Sequence, residues 1–279
     1  MFATILADPW FYAGFASVLL VTGAIAGVLA GLLGVGGGIV IVPVLFLLFP
    51  LLGVEPSVTM HLAVGTSLAT IIPTSFMSAR SHHRHGGVDF DLLQSWGPAI
   101  FIGVVIGGSV GGVVKGEVLT LVFATVAVLV AANMTLRKEG MILAKTLPSG
   151  VLRHASGLIV GMFSVVMGIG GGTLSVPILT AFNYPIRRAV GTASAIGLII
   201  ALPGSAAFIL SGLNNPGLPP ASLGYANLVG FALIVPATML MAPVGVKIAH
   251  TINPANLRKA FAFFLLLTSL RMFYSVLFS

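Results

Sequence analysis

The chain has 279 residues, 57% of them hydrophobic and 7% charged, with no cysteine, a formal net charge of +7 and a mean hydropathy of +1.12. A soluble domain carries about 25% charged residues, so a water-solvated globule is excluded, as are disulfides and thiolate metal sites. The basic excess does not point to nucleic acid, because no run of Lys and Arg exceeds two residues and such residues mark the cytoplasmic loops of membrane chains.

Strand-like alternation is absent, so the expected fold is an all-α polytopic membrane protein. Residues 10–33 are apolar and long enough to cross a bilayer, for which about 20 residues suffice. Trp10 and Tyr12 suit one interface. The start lacks a basic stretch and a small-residue cleavage site, so no removable signal peptide is expected. The glycine run Gly34-Val35-Gly36-Gly37-Gly38 follows, then a shorter apolar segment, 39–52, containing Pro43. Residues 62–79 form a third segment, and 80–87 are the most polar stretch in the chain. His82, His83 and His85 there have no carboxylate or thiolate beside them, which favours a solvated cytoplasmic loop over a metal site. Segments 92–114 and 118–136 form a hairpin about Lys115-Gly116-Glu117, and 137–153 is a basic connector.

The second half repeats this order. Residues 152–167 lead into Gly168-Ile169-Gly170-Gly171-Gly172, and the short segment 173–182 contains Pro177. Arg187 and Arg188 precede 189–210, a charge-free loop spans 211–222, and 225–246 and 257–276 finish the chain. Ala63-Val64-Gly65-Thr66 recurs as Ala189-Val190-Gly191-Thr192. The chain reads as a duplication, 1–140 and 141–279, of a unit of five apolar segments. With five crossings per half, eleven of the thirteen Lys and Arg fall on one side; with four, the group from Lys247 to Lys259 lands opposite Arg80 and Arg84. The positive-inside rule selects five and five, hence inverted repeats with both ends outside. The short glycine-flanked segments fit either full crossings or broken helices.

Two readings fit the glycine runs. Glycine lets helices pack closely. Alternatively, Gly36, Gly37, Gly38 and Gly170, Gly171, Gly172 begin half-helices near the midplane, with Pro43 and Pro177 marking the breaks. Their free N–H groups and positive dipole ends then face an anion. A dinucleotide fingerprint fails, because Ile39 and Thr173 occupy the sixth position and no strand precedes either run. Thr66, Ser67, Thr192 and Ser194 stand at segment starts and either bond their own helix or donate O–H to an oxyanion. No Asp or Glu lies deep in a segment, as a cation pathway would require. Arg271 and His61 are accessory candidates, read first as a snorkelling cation and a helix-end residue. No nucleophile elbow or catalytic set is present, so no enzyme is expected. No cofactor or metal is expected either. The expected partners are a small anionic substrate and the lipid bilayer, with the chain a monomer or homodimer.

The paired glycine runs with Pro43 and Pro177, the two Ala-Val-Gly-Thr starts and the His82-His83-Arg84-His85 stretch resemble the TauE/SafE family of sulfite and organosulfonate exporters. So does the C-terminal run from Pro243-Val244-Gly245 through Phe261 and Arg271. The resemblance covers nearly the whole chain. It implies an inner-membrane permease exporting a small sulfur oxyanion, in agreement with the separate argument for an anion.

Overall fold

The structure, a computed structural model, describes residues 9–136, 144, 146–147, 149–249 and 255–278. Most of the basic connector at 137–145, with the boundary placed at 140, lies outside the described residues.

Ten helices account for nearly all of it: α1 (Pro9–Leu33), α2 (Gly38–Leu48), α3 (Pro56–Arg84), α4 (Phe90–Gly111), α5 (Gly116–Leu136), α6 (Gly150–Val166), α7 (Gly172–Ala181), α8 (Ile186–Gly212), α9 (Leu228–Ala249) and α10 (Ala255–Leu277). Among the described residues six helices are long and apolar enough to cross a membrane. The chain is a multi-pass, all-α membrane protein. A two-strand ribbon, β1 (Ser222–Leu223) against β2 (Ala226–Asn227), stands before α9, its second strand replacing the start of the segment expected at 225–246.

Local chemistry sets the boundaries. Glu55 occupies the N-cap position of α3 and Pro56 its first turn, where a missing N–H costs nothing. Pro185 holds the N-cap position of α8, and Asp89 caps α4. Two helices fall far short of spanning length. α7 has 10 residues, about 15 Å, half of a hydrocarbon core. α2 has 11 and continues as a 3-10 turn, Phe49–Leu52. Pro43 and Pro177 sit inside α2 and α7 rather than at the breaks. The chain breaks at the glycines, because a proline removes one hydrogen bond while a positive φ ends the helix.

Two seams of small residues lock the bundle. Gly23, Gly27 and Gly31 of α1 lie against the α9 backbone at Ile234, Thr238 and Ala242. Gly103 and Gly107 of α4 lie likewise against Leu158 and Met162 of α6, while Gly111 faces the Phe208 ring and the Val166 side chain. Contacts climb together in both seams, so each pair is parallel. A four-residue spacing puts glycines on one helix face, where they admit a neighbouring backbone. α3 and α8 cross antiparallel in the middle, with Ser78 facing Ser194, Ser75 facing Gly197 and Leu68 facing Gly204. α3 is the central helix, 72% of its apolar window being buried against 33% for α5, which faces outward.

The bundle therefore has two end faces. At one, the end of α3 at Arg84 meets the starts of α4 and α8, and Trp96 Nε1 donates to Arg153 O at the start of α6 (3.0 Å). At the other, the start of α3 at Glu55 meets the starts of α5 and α9, with His61 Nε2 2.9 Å from Val114 O. Of the polar stretch 80–87 expected as a loop, residues 80–84 belong to the end of α3, which runs to Arg84, and 85–87 form the turn after it. His82 is buried there, its Nε2 2.8 Å from Gly31 O at the end of α1. Hydropathy counts its polarity, but the carbonyls freed at the end of α1 satisfy it.

Candidate functional site

Both glycine runs are buried, and they touch. Gly170 N–H donates to Val35 O at 3.1 Å, and a Cβ on Gly36 would stand 3.0 Å from Gly170 Cα. A Cβ on Gly38 would run into Gly168 O, and one on Gly172 into Gly34 O. The two turns thus cross backbone to backbone against the middle of α3, where Ile71 borders Gly36 and Ser67 Oγ donates to Gly168 O at 2.7 Å. α2 leaves the crossing toward the Glu55 face, and α7 leaves it toward the Arg84 face. Their N-termini therefore both point into the crossing.

Neither N-terminus has a side-chain cap: Gly37 and Gly171 hold the N-cap positions of α2 and α7. A helix leaves its first N–H groups unpaired, with about half a positive charge at that end. The two ends are buried together, with no Asp or Glu beside them among the described residues, the kind of helix terminus that favours negative charge. The turns are not conformational copies. Gly34, Gly36 and Gly37 have φ of +68°, +70° and +80°, whereas in the second run Gly168 is positive at +65° and Gly171 is helical at −59°.

A column of buried hydroxyls flanks the crossing. Thr66, Thr70, Thr74, Ser78 and His82 follow one another at four-residue steps on α3, all buried. Thr70 Oγ1 donates to Ser67 O, Thr74 Oγ1 donates to Thr70 O and lies 2.7 Å from Thr238 Oγ1 on α9, and Ser78 Oγ lies 3.0 Å from Ser194 Oγ. Such bonds let a lipid-embedded helix bury hydroxyls without charge.

Thr66 and Thr192 form matched clasps at opposite ends. Thr192 Oγ1 accepts from Asp89 N–H (2.9 Å), and Asp89 Oδ1 in turn accepts from Leu92 N–H (3.1 Å), capping α4. Thr66 Oγ1 accepts from Asn227 N–H (2.9 Å), and Asn227 Oδ1 accepts from Gly230 N–H (2.8 Å), capping α9. The clasps differ in charge. Asp89 Oδ2 is 2.8 Å from Arg188 Nη2 and accepts from the Tyr184 hydroxyl. Burial pushes the Asp89 carboxyl up, but the Tyr184 and Leu92 hydrogen bonds and the Arg188 charge outweigh it and hold it below its usual range. Burial and then the Asp89 bond push the Tyr184 phenol above its usual value.

Residues 19–272 match the family described as Sulfite exporter TauE/SafE. The chain belongs to the TauE/SafE family. A "Probable membrane transporter protein" of Haemophilus influenzae is 37% identical over 93% of this chain and 98% of its own length. Another of that description from Methanocaldococcus jannaschii is 26% identical over 86% of this chain and 89% of its own. A third, YunE of Bacillus subtilis, is 26% identical over 94% and 98%. No solved structure matches.

In this TauE/SafE chain the glycines Gly36, Gly37, Gly38, Gly170, Gly171 and Gly172 are brought together, with Ser67 beside them. Thr66 and Thr192 are not. Ser78, the partner of Ser194, lies twelve residues after Thr66 on α3, roughly 18 Å along the helix axis. Ser194 sits between the crossing and the Asp89 clasp, bonded to Ser78 and Val190 O. Arg271 is exposed on α10, its guanidinium 5.8 Å from the Tyr274 ring centroid, and does not face the crossing. His61 packs at the Glu55 face, stacked on Tyr225 at 4.8 Å between centroids. Ser75, Thr173, Asp89 and Asn227 escape a motif-based reading. The four-step hydroxyl spacing on α3, and the Asx residue three before an amide at each helix start, are the signals that find their surroundings.

Proposed function

We propose that this protein exports a small sulfur-containing oxyanion, sulfite or an organosulfonate such as sulfoacetate, across the inner membrane by alternating access about the glycine crossing. The observation that carries this is the pair of buried, uncapped helix N-termini meeting where no carboxylate stands among the described residues. The family name supplies the sulfur oxyanion. The two halves, 1–140 and 141–279, act as inverted repeats. Support lies in the direction of packing. In a unit of five alternating segments the first and fourth run opposite ways. A first helix parallel to the other half's fourth, as α1 is to α9 and α6 is to α4, is what inversion produces.

In this reading the Arg84 face is cytoplasmic and the two clasps gate the two faces. The Thr192–Asp89 clasp closes the inner face and the Thr66–Asn227 clasp the outer one. Outward anion movement is downhill when the inside is negative, by about 2.3 kcal/mol per charge per 100 mV. The chain needs no cofactor and works as a monomer or homodimer.

Two measurements test the proposal. Cysteines replacing Arg84 and Ser149 should react with an impermeant thiol reagent from the cytoplasm, and those replacing Glu55 and Asn215 from outside. Labelling of Arg84 and Asn215 positions from one side rules out the inverted arrangement. In proteoliposomes, labelled sulfite or sulfoacetate flux should follow an imposed potential at fixed pH. Flux that tracks only a proton gradient replaces the uniporter with a symporter, and no flux of either substrate removes the transport reading.

A further inference from the structure

The second glycine turn holds more unsatisfied donors than the first. Ser75 Oγ and Thr173 Oγ1 are buried without a hydrogen-bond partner among the described residues, in residues 1% and 5% exposed. Ser75 lies in the middle of α3, and Thr173 in the first turn of α7. Gly197 of α8 locates the Ser75 hydroxyl relative to α7. A Cβ on Gly197 would run into Ser75 Oγ and stand 3.9 Å from Gly171 N. The Ser75 hydroxyl thus occupies the room that a side chain at residue 197 would take, close to the uncapped N-terminus of α7. A buried hydroxyl without a partner carries a desolvation cost of about 1–3 kcal/mol, and two such groups at one helix start call for a ligand.

The first turn offers no equivalent. Ile39 stands where the second copy has Thr173, and it is fully buried and apolar.

We propose that Ser75 Oγ, Gly171 N–H and Thr173 Oγ1 form the subsite for the SO3 head that sulfite and organosulfonates share, on the α7 side of the crossing. Three neutral donors suit three equivalent acceptor oxygens and leave the organic part of a sulfonate uncontacted. The subsite rests on the oxyanion reading above and narrows it to one half-helix.

The test uses the full chain purified in detergent and then reconstituted. Ser75→Ala and Thr173→Val should each weaken binding of both sulfite and sulfoacetate by the same factor, about ten- to a hundredfold. Without anion, both variants should melt at or above the wild-type temperature, since each deletes an unpaired buried hydroxyl. A purely structural role for these hydroxyls moves the melting temperature down and leaves affinity alone. A third variant, Ser75→Ala combined with Gly197→Ala, fills the space without the hydroxyl clash and should lose binding of both anions. Wild type that transports sulfite while both single variants keep wild-type affinity overturns the subsite alone. Wild type that moves neither anion overturns the function and the subsite together.

Discussion

Gly38→Ala and Gly172→Ala should each abolish anion flux and lower the melting temperature of the purified protein. The methyl groups meet peptide atoms of the opposite turn, Gly168 O in one case and Gly34 O in the other. Backbone cannot rotate aside as a side chain can, so the turns must separate. Overpacking of this kind costs about 1–3 kcal/mol. The neighbouring N-cap glycines should rank differently. Gly37→Ala adds left-handed strain of roughly 1–2 kcal/mol to its contact with Ala26, because φ is +80°. Gly171→Ala has no such strain at φ −59°, although its methyl meets Ile196 Cγ2 at 2.5 Å and Ala193 O at 2.9 Å, the latter matching the Gly37 contact with Ala26 O. Thermal unfolding should therefore place Gly37→Ala below Gly171→Ala. Wild-type flux and melting in the Gly38 and Gly172 variants would mean that the turns do not need their contact.

Asp89→Ala should have the second largest effect, through the inner clasp. It removes the cap of α4, about 0.5–2 kcal/mol, and leaves the Tyr184 hydroxyl without its acceptor. The Arg188 pair adds little, since that guanidinium side chain is 51% exposed. Asp89→Asn keeps the cap and reproduces the outer clasp, where Asn227 does the same work. It should be nearly as stable as wild type but open the inner face more readily. The readout is cysteine at Ser78, which should label faster from the Arg84 face in both variants than in wild type. Unchanged labelling in Asp89→Ala would remove the gate from the mechanism.

The pH response follows from the two shifts. Asp89 is depressed, so its contribution is complete above the ordinary carboxylate value and is lost only as pH falls below that value. Tyr184 is raised, so its contribution is complete below the ordinary phenol value and is lost only in more alkaline solution. Across about pH 5 to 9 the clasp should not titrate.

Much of this architecture is visible in the residues themselves. Segment lengths and the distribution of Arg and Lys give the order of helices, and the repeated glycine runs locate the crossing. The four-residue spacing of Gly23, Gly27 and Gly31 announces the first seam. What escapes is whatever depends on which helix faces which. Hydropathy measures transfer to lipid, so it places His82 in a loop, although a neighbouring carbonyl satisfies it inside the protein. Sequence repetition pairs Thr66 with Thr192, yet antiparallel crossing of α3 and α8 sends equivalent residues to opposite ends. The difference in φ between Gly37 and Gly171, +80° against −59°, is not encoded in Gly-Gly-Gly.

The seams have a consequence for biogenesis. Each joins a helix made early in one half to a helix of the other, as Gly23 meets Ile234 and Gly103 meets Leu158. During synthesis α1 must therefore wait in the membrane with its glycine face against lipid until α9, nearly the last helix, is inserted. A chain cut in the 137–149 connector leaves each fragment with half of both seams. Neither fragment can close its own, so the pieces should assemble only when made in the same membrane.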